Sequence, residues 1–548
     1  MVNLFHRSLN LPEILALSVS IVIATIVGFD VLRKLCRAYF VKRLVTVDGL
    51  PLLGLKRVKK IQGTAVVCGG SISGLLTARV CSDHFTDVLI IDPELSEVER
   101  SKPSARIAQY DSLHGYLTFV YEGMRRLWPN FESELAKAGG HVAPGDVKPY
   151  FGGVLLPAPY AEYESKDQSL PDTMYIRRPQ LENLLRRLIL GRPSNVRTLV
   201  GSVRGLEVDR GSHASVSSVV VRKPDGEEVH INDPTLVIDC SGDSQAGFKW
   251  LKKTGYHMPP DVRLEYDQRL YYVTITFDVS ESMKTSMPIP GGYEDAGWLY
   301  TFVPHPKLTN TGFVLGKMDN DTMQLCCGGW GDVNLPLEAD DIEPFVKSLN
   351  AHEPVPSWLV ETLQILVSEG SPRFKSLKIR PCSNIQYHKV PDLPVNFVAV
   401  GDSMLQLNPI YAQGCSKAMM GVTTLNSLLR SSHPVVRPGQ DDLLPTSFSK
   451  TYFRAVGHHG QALWDSTKTF DYGFSSTRPV KGESLSTGAF ARWYLDLFID
   501  AAMRDKDLAS IMWHVRMLLS PHTDMASPSA LWKVCRNYIR QSLSHGVH

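Results

Sequence analysis

Between Ala65 and Asp92 the order of residue types leaves few folds open. Ala65-Val66-Val67-Cys68 is a short apolar run, as expected of a strand buried on both faces. Gly69-Gly70-Ser71-Ile72-Ser73-Gly74 follows, then a helix pattern from Leu75 to Val80. A second apolar strand, Val88-Leu89-Ile90-Ile91, ends in Asp92. A dinucleotide site needs these parts in this order. Glycine lets the backbone turn tightly and approach a pyrophosphate. The helix N-terminus offers free N–H groups and the positive end of the helix dipole. An acid about 20 residues on, at the end of the second strand, can accept from a ribose hydroxyl. Ser71 replaces the middle glycine of the GxGxxG pattern, with Gly70 just before it. The competing reading is an ordinary glycine-rich strand–helix turn.

Two later stretches argue for the cofactor site. Thr235-Leu236-Val237-Ile238-Asp239-Cys240-Ser241-Gly242 is another apolar strand ending in an acid and a small-residue turn. Phe397-Val398-Ala399-Val400 leads into Gly401-Asp402, then Leu407-Asn408-Pro409-Ile410-Tyr411-Ala412-Gln413-Gly414 and a helix pattern from Cys415 to Leu429. With GGSISGL, DCSG and GDSMLQLNPIYAQG in this order, the chain resembles the FAD-dependent monooxygenases related to aromatic hydroxylases and squalene epoxidase. The resemblance runs from about Gly63 to the C-terminal helices and includes Arg106-Ile107-Ala108-Gln109, Leu113-His114-Gly115 and Arg177-Arg178-Pro179-Gln180-Leu181-Glu182. It implies an FAD site made by Gly69, Gly70, Ser71, Gly74, Asp92, Arg106, Asp239, Gly242, Gly401, Asp402, Pro409, Gln413 and Gly414. In this resemblance Asp402 bonds the ribityl chain, Pro409 to Gly414 pass the flavin ring, and Arg106 lies near the cofactor from the other side. Ala412 stands where the family often has glycine, and Leu405 where aromatic hydroxylases often have histidine. His114 is read as a structural histidine, and Arg177 and Arg178 as helix-start residues rather than substrate ligands.

The implied fold class is α/β: a Rossmann-like FAD-binding domain, an inserted mixed or antiparallel β-sheet substrate domain, a helical C-terminal region and an N-terminal transmembrane helix. At 548 residues the chain exceeds what one hydrophobic core usually serves, about 250–300 residues. The expected division is 1–43 membrane anchor, 44–62 linker, 63–260 and 391–435 FAD-binding parts, 261–390 substrate sheet, and 436–548 helical region. Tyr271 to Phe277 and Thr311 to Leu315 alternate as antiparallel strands do. Gly328-Gly329-Trp330-Gly331 reads as a loop, since no helix pattern follows it. Leu531, Val534, Cys535, Tyr538, Ile539 and Leu543 form a stripe at helical spacing, which suits either core packing or a membrane surface.

Ile14 to Phe29 carries no charge, but sixteen helical residues span only about 24 Å against a hydrocarbon core of about 30 Å. Extending the span from Leu11 to Leu32 reaches about 33 Å. Arg33, Lys34, Arg37, Lys42 and Arg43 follow it, so the positive-inside rule places the long C-terminal part in the cytosol, with the endoplasmic reticulum as a suitable membrane. A net charge of +2, from 58 basic and 56 acidic residues, gives no reason to expect nucleic acid. Nine cysteines without CxxC spacing predict reduced, mostly buried thiols and no metal site.

The resemblance implies that a bound flavin carries the reaction, which explains why no GxSxG, HExxH or CxxC motif is needed. The expected activity is monooxygenation of a lipophilic small molecule with NAD(P)H and O2, in specialised or lipid metabolism. Without a second Rossmann unit, the nicotinamide would dock only transiently. The alternatives are a reductase of prenyl double bonds, a halogenase and a non-redox flavin-fold lipid-binding protein. Trp298 to Pro304 only loosely echoes the WxWxIP stretch of halogenases of this fold.

Overall fold

The computed structural model describes residues 11–100, 107–158, 170–191, 195–209 and 214–545. At its centre is a five-stranded parallel sheet in the order Phe397–Ala399, Leu236–Asp239, Ile61–Cys68, Phe85–Ile91, Val196–Leu199. Strands buried on both faces need apolar residues throughout, and Ala65, Val66, Val67, Val88, Ile90, Val237 and Ile238 have no exposed surface. The register pairs Cys68 with both Ile91 and Asp239, and Asp239 with Ala399. The C-terminal ends of four strands therefore lie level along one edge. The helices Ile72–His84 and Gly414–Ser431 pack against each other beside this sheet. An antiparallel meander, Ser202–Asp209, Ser215–Arg222 and Glu228–Asn232, adds Leu206, Val219 and Val221 to the same core.

A second sheet has seven strands, ordered Arg373–Lys378, Leu270–Asp278, Thr322–Trp330, Thr311–Lys317, Trp298–Val303, Pro149–Phe151, Val154–Leu155. One pair is parallel, Trp298–Val303 with Pro149–Phe151, and the rest are antiparallel, so the sheet is mixed. Its alternation sends Val273, Ile275 and Phe277 into a core with Leu359 and Leu363 of the helix Ser357–Glu369. Tyr272 and Thr274 face the other way, toward the parallel sheet's domain. The Tyr272 hydroxyl donates to Ser112 Oγ at 2.9 Å, and Thr274 Oγ1 accepts from the Leu113 N–H at 3.3 Å.

Gly328, Gly329 and Trp330 end a strand and are not the loop that their composition suggested. Gly328 pairs with Tyr272 and Gly312, and a Cβ on Gly329 would come within 2.9 Å of Thr311 Cγ2 and Val333 Cγ1. The glycines relieve crowding on the sheet, and the turn comes only at Gly331, with φ +83°.

The N-terminal expectation is also corrected. The uncharged run is the first part of a single 34-residue helix, Leu11–Leu44. Among the described residues no helix is long and apolar enough to cross a membrane, which overturns the transmembrane anchor and the single-pass, cytosol-facing placement. Beyond the run charge resumes at Asp30, which pairs with Arg33 and Lys34 at 2.7 and 2.8 Å on the same helix. The basic residues beyond it engage protein: Arg37 reaches Asp524 at 2.9 Å, and Arg43 Nη2 lies 3.3 Å from His458 Nε2.

Four helices make up most of the C-terminal region: Phe448–Asp471, Ala489–Ala502, Lys506–Arg516 and Pro528–His545. In the last, Val534 is 3% exposed but Leu543 is 68% exposed, and Leu531, Tyr538, Ile539 and Cys535 are exposed as well. The packed face is Ala530, Val534, Asn537 and Gln541. Asn537 and Gln541 donate to Asp500 Oδ2 at 2.8 and 2.5 Å. The sequence stripe lies beside this face because two polar positions make the contact.

Candidate functional site

The level strand ends bring the first and second glycine-bearing stretches into contact. Gly69 has φ +127°, open to glycine at no cost, and a Cβ there would lie 2.3 Å from Cys240 O. A Cβ on Gly74 would lie 1.8 Å from Gly69 O. A Cβ on Gly70 would meet Leu95 Cδ1 at 2.6 Å and Asp92 Cβ at 2.9 Å. Asp92 braces this loop: its Oδ2 accepts from the Gly70 N–H at 2.9 Å and its Oδ1 from the Glu94 N–H at 2.8 Å.

Ser71 stands at the N-cap of the helix Ile72–His84, and its side chain does not cap it. Instead Ser71 Oγ donates to Glu182 Oε2 at 3.0 Å and accepts from Arg178 Nη2 at 3.3 Å. Glu182 is buried, with Arg100 Nη1 at 3.3 Å and Arg186 Nη2 at 3.5 Å from its Oε1. Burial first, then the neighbouring Arg100, lowers the Arg186 pKa. The buried Nε of Arg178 has no hydrogen-bond partner. The missing glycine is thus replaced by a serine wired into an Arg–Glu cluster, with one guanidinium N–H left over beside the loop. Arg177 and Arg178, alike in sequence, do different work. Arg177 clamps Asp319 of the large sheet with its backbone N–H at 2.8 Å, Nε at 2.9 Å and Nη2 at 3.1 Å.

The third stretch closes on the first two. Gly401 has φ +72°, and a Cβ on it would come within 2.4 Å of Ser73 Oγ, so the GD turn lies against the start of the glycine-loop helix. The Asp402 side chain is 46% exposed, and its Oδ1 is held at 2.7 Å by Lys417 Nζ, whose own side chain is 6% exposed. Asp239 turns inward: its carboxylate accepts from the N–H groups of Ser241 at 2.9 Å and Gly247 at 2.8 Å. Burial pushes it up to about 6, against the pull of those bonds. The Asp239 side chain therefore braces the turn and the following helix. Gly242, with φ +66°, has open space where a Cβ would stand.

After Gly401, Asn408 Oδ1 accepts from the Ile410 N–H at 3.1 Å and caps the short turn Pro409–Tyr411. Gln413 Oε1 accepts from Thr467 Oγ1 at 3.3 Å, and Gly414 begins the 18-residue helix Gly414–Ser431 with open space at its α-carbon. Ala412 sits at φ +56°, the left-handed region where glycine is at home. A Cβ on Gly115 would lie 3.1 Å from the Ala412 methyl and 3.0 Å from Trp298 Cζ2, so loop, turn and sheet meet there. The Ala412→Gly variant is expected to be more stable by about 0.5 kcal/mol: about 1 kcal/mol of left-handed strain is relieved, partly offset by unfolded-state freedom. A lower denaturation midpoint would refute this.

His114 Nδ1 lies 2.8 Å from Ser112 O, and burial, with Arg178 nearby, lowers its pKa to about 4. It is neutral and tied to its own loop. Leu405 is buried and reaches the helix Phe448–Asp471 at Gly460, so apolar packing fills that position. Arg106 lies outside the described residues. Lys417, Glu182 with Arg100, and Asp471 took no role in the sequence reading, although each contacts a motif residue. Lys417, the one charge in the helix pattern Cys415 to Leu429, was the available signal. Among the described residues no group of three or more His, Cys, Asp or Glu side chains could hold a metal.

No family model matches the chain. Protein Rv3254 of Mycobacterium tuberculosis is 24% identical to it over 426 residues, covering 74% of this chain and 83% of that one. The flavin-dependent brominase Bmp2 superposes with a TM-score of 0.52 at 15% identity, over 88% of this chain and 100% of Bmp2. A flavoprotein/dehydrogenase from Cytophaga hutchinsonii gives 0.54 at 13% identity, over 89% and 100%. A variant of Klebsiella pneumoniae HpxO complexed with FAD gives 0.50 at 13% identity, over 84% and 99%. The likeness spans most of the chain and concerns its backbone: the protein has the fold of the FAD-dependent oxidoreductases that its three glycine-bearing stretches resemble.

Proposed function

We propose that the chain is an FAD-dependent monooxygenase that uses NAD(P)H and O2 to hydroxylate or epoxidise a lipophilic small molecule. The carrying observation is the convergence of residues 69–74, 239–242 and 401–414 on one sheet edge, through glycine contacts that no side chain would fit. The residues fit the cofactor. Glycines and a helix N-terminus form a phosphate cradle, an unpartnered Arg178 N–H stands beside it, and a half-exposed carboxylate waits at Asp402. Gly69, Gly70, Ser71 and Gly74 would hold the pyrophosphate and Asp402 the ribityl hydroxyls, while Pro409 to Gly414 would pass the ring, with the N–H groups of Gln413 and Gly414 at the helix start available to it. FAD, when bound, would accept electrons from the nicotinamide and activate O2. The protein supplies placement and water exclusion. Leu113, Trp298 and Val314, packed with Tyr175 and Met318, make the meeting of loop and sheet apolar, and a lipophilic substrate would lie against that wall. On this reading 63–260 and 391–435 serve the cofactor and 261–390 the substrate.

Purified protein should show flavin absorption bands, substrate-dependent NADPH oxidation and a product heavier by one oxygen. Turnover that continues without O2 would move the assignment to a reductase. A colourless protein that cannot be reconstituted with FAD would end it. Lys417→Met should weaken FAD binding about tenfold by releasing Asp402, one charge-assisted contact being worth about 1.5 kcal/mol. Titration of the apoprotein with FAD checks this.

A further inference from the structure

Asp471 closes the helix Phe448–Asp471 and has no exposed surface. Four donors from three separate parts of the chain converge on its carboxylate. Oδ1 accepts from Asn408 Nδ2 at 2.9 Å, Trp330 Nε1 at 2.9 Å and the Tyr411 hydroxyl at 3.1 Å. Oδ2 accepts from the Tyr266 hydroxyl at 2.8 Å. All four partners are neutral, three of them on Oδ1 and one on Oδ2. Burial raises the carboxyl to about 6 while these bonds pull it down; four donors aimed at its two oxygens favour the carboxylate form.

Two of the four donors, Asn408 and Tyr411, bracket the turn Pro409–Tyr411. Asn408 also caps that turn through Ile410 N–H. Ile410, between them, packs in one cluster with Tyr272 and Trp330 of the large sheet. One carboxylate therefore ties both ends of the turn to the sheet and to the C-terminal helical region. Tyr266, on the other oxygen, belongs to the small sheet strand Arg263–Tyr266 and takes no part in the turn.

We propose that Asp471 is the positioning residue of the turn that receives the flavin ring, fixing its shape and placing one negative charge behind it. This rests on the FAD reading above. The test compares full-length wild type, D471N, Y411F and Y266F. The measurements are FAD dissociation constant, midpoint potential of the bound flavin and hydrogen exchange of the amides of residues 408 and 410–413. D471N should bind FAD at least tenfold more weakly, shift the potential positive and exchange these amides faster. Y411F should do the same to a smaller degree. Y266F, which removes a bond to the same carboxylate but not to the turn, should lose stability without moving the flavin readouts. Equal flavin effects from Y411F and Y266F, or an unchanged D471N, would overturn the proposal. If D471N does not fold, the contrast between the two tyrosine variants decides. Wild type that takes up no FAD would overturn both this proposal and the functional reading. Wild type and D471N binding FAD alike would overturn this proposal alone.

Discussion

Gly74→Ala is expected to give a protein that melts at a clearly lower temperature and is purified without flavin. The added methyl would stand 1.8 Å from Gly69 O and 2.7 Å from its carbonyl carbon, both backbone atoms of a loop already pressed against Cys240. No flexible side chain can give way there. Helix and strand must separate, and overpacking of this kind costs about 3 kcal/mol or more. The separation also pulls the helix N-terminus away from the loop, so binding should suffer more than stability. Denaturant unfolding together with flavin content per polypeptide checks both halves. A G74A protein with wild-type stability and full flavin content would mean that the helix does not cross the strand this closely.

Arg177→Met is the second large effect, expected to cost about 3–5 kcal/mol. Asp319 has no exposed side-chain surface and takes three bonds from Arg177, two of them from its guanidinium. Removing the cation leaves a buried carboxylate facing one backbone N–H and the Asn320 amide at 3.2 Å. The double variant R177M/D319N should recover most of the loss, because neutralising both partners removes the uncompensated charge. Thermal melts of the two singles and the double give the coupling. A single variant that melts with the wild type would show that the clamp is not formed in solution.

The strand ends and glycine turns were legible because their constraints are local: an apolar run with no polar break, then residues that tolerate tight approach. Cys68, Asp239 and Ala399 could each be placed at a strand end, although their mutual register came only from the structure. What escaped was whatever depends on a partner far along the chain. Arg177 and Arg178 are neighbours in sequence, yet one clamps the large sheet and the other stands at the glycine loop. Asp239 looked like a ligand because acids at strand ends often are, but a helix start eight residues on takes its carboxylate. The apolar stripe of the last helix misled because periodicity reports a face and not its neighbour. The polar Asn537 and Gln541 found Asp500 instead. The run from Ile14 to Phe29 was weighed for its apolarity, and the helix that contains it carries its charged half onto the protein body.

The strand order has a bearing on synthesis. Ile61–Cys68 and Phe85–Ile91 leave the ribosome early, Leu236–Asp239 joins them later, and Phe397–Ala399 comes far later still. Through the whole synthesis of the intervening sheet, Leu236–Asp239 presents a bare apolar edge to the surroundings. Such an edge is an invitation to pair with another nascent chain. Productive folding of this polypeptide should therefore depend on chaperone cover during translation, and fragments that stop short of Phe397 should be recovered as aggregates.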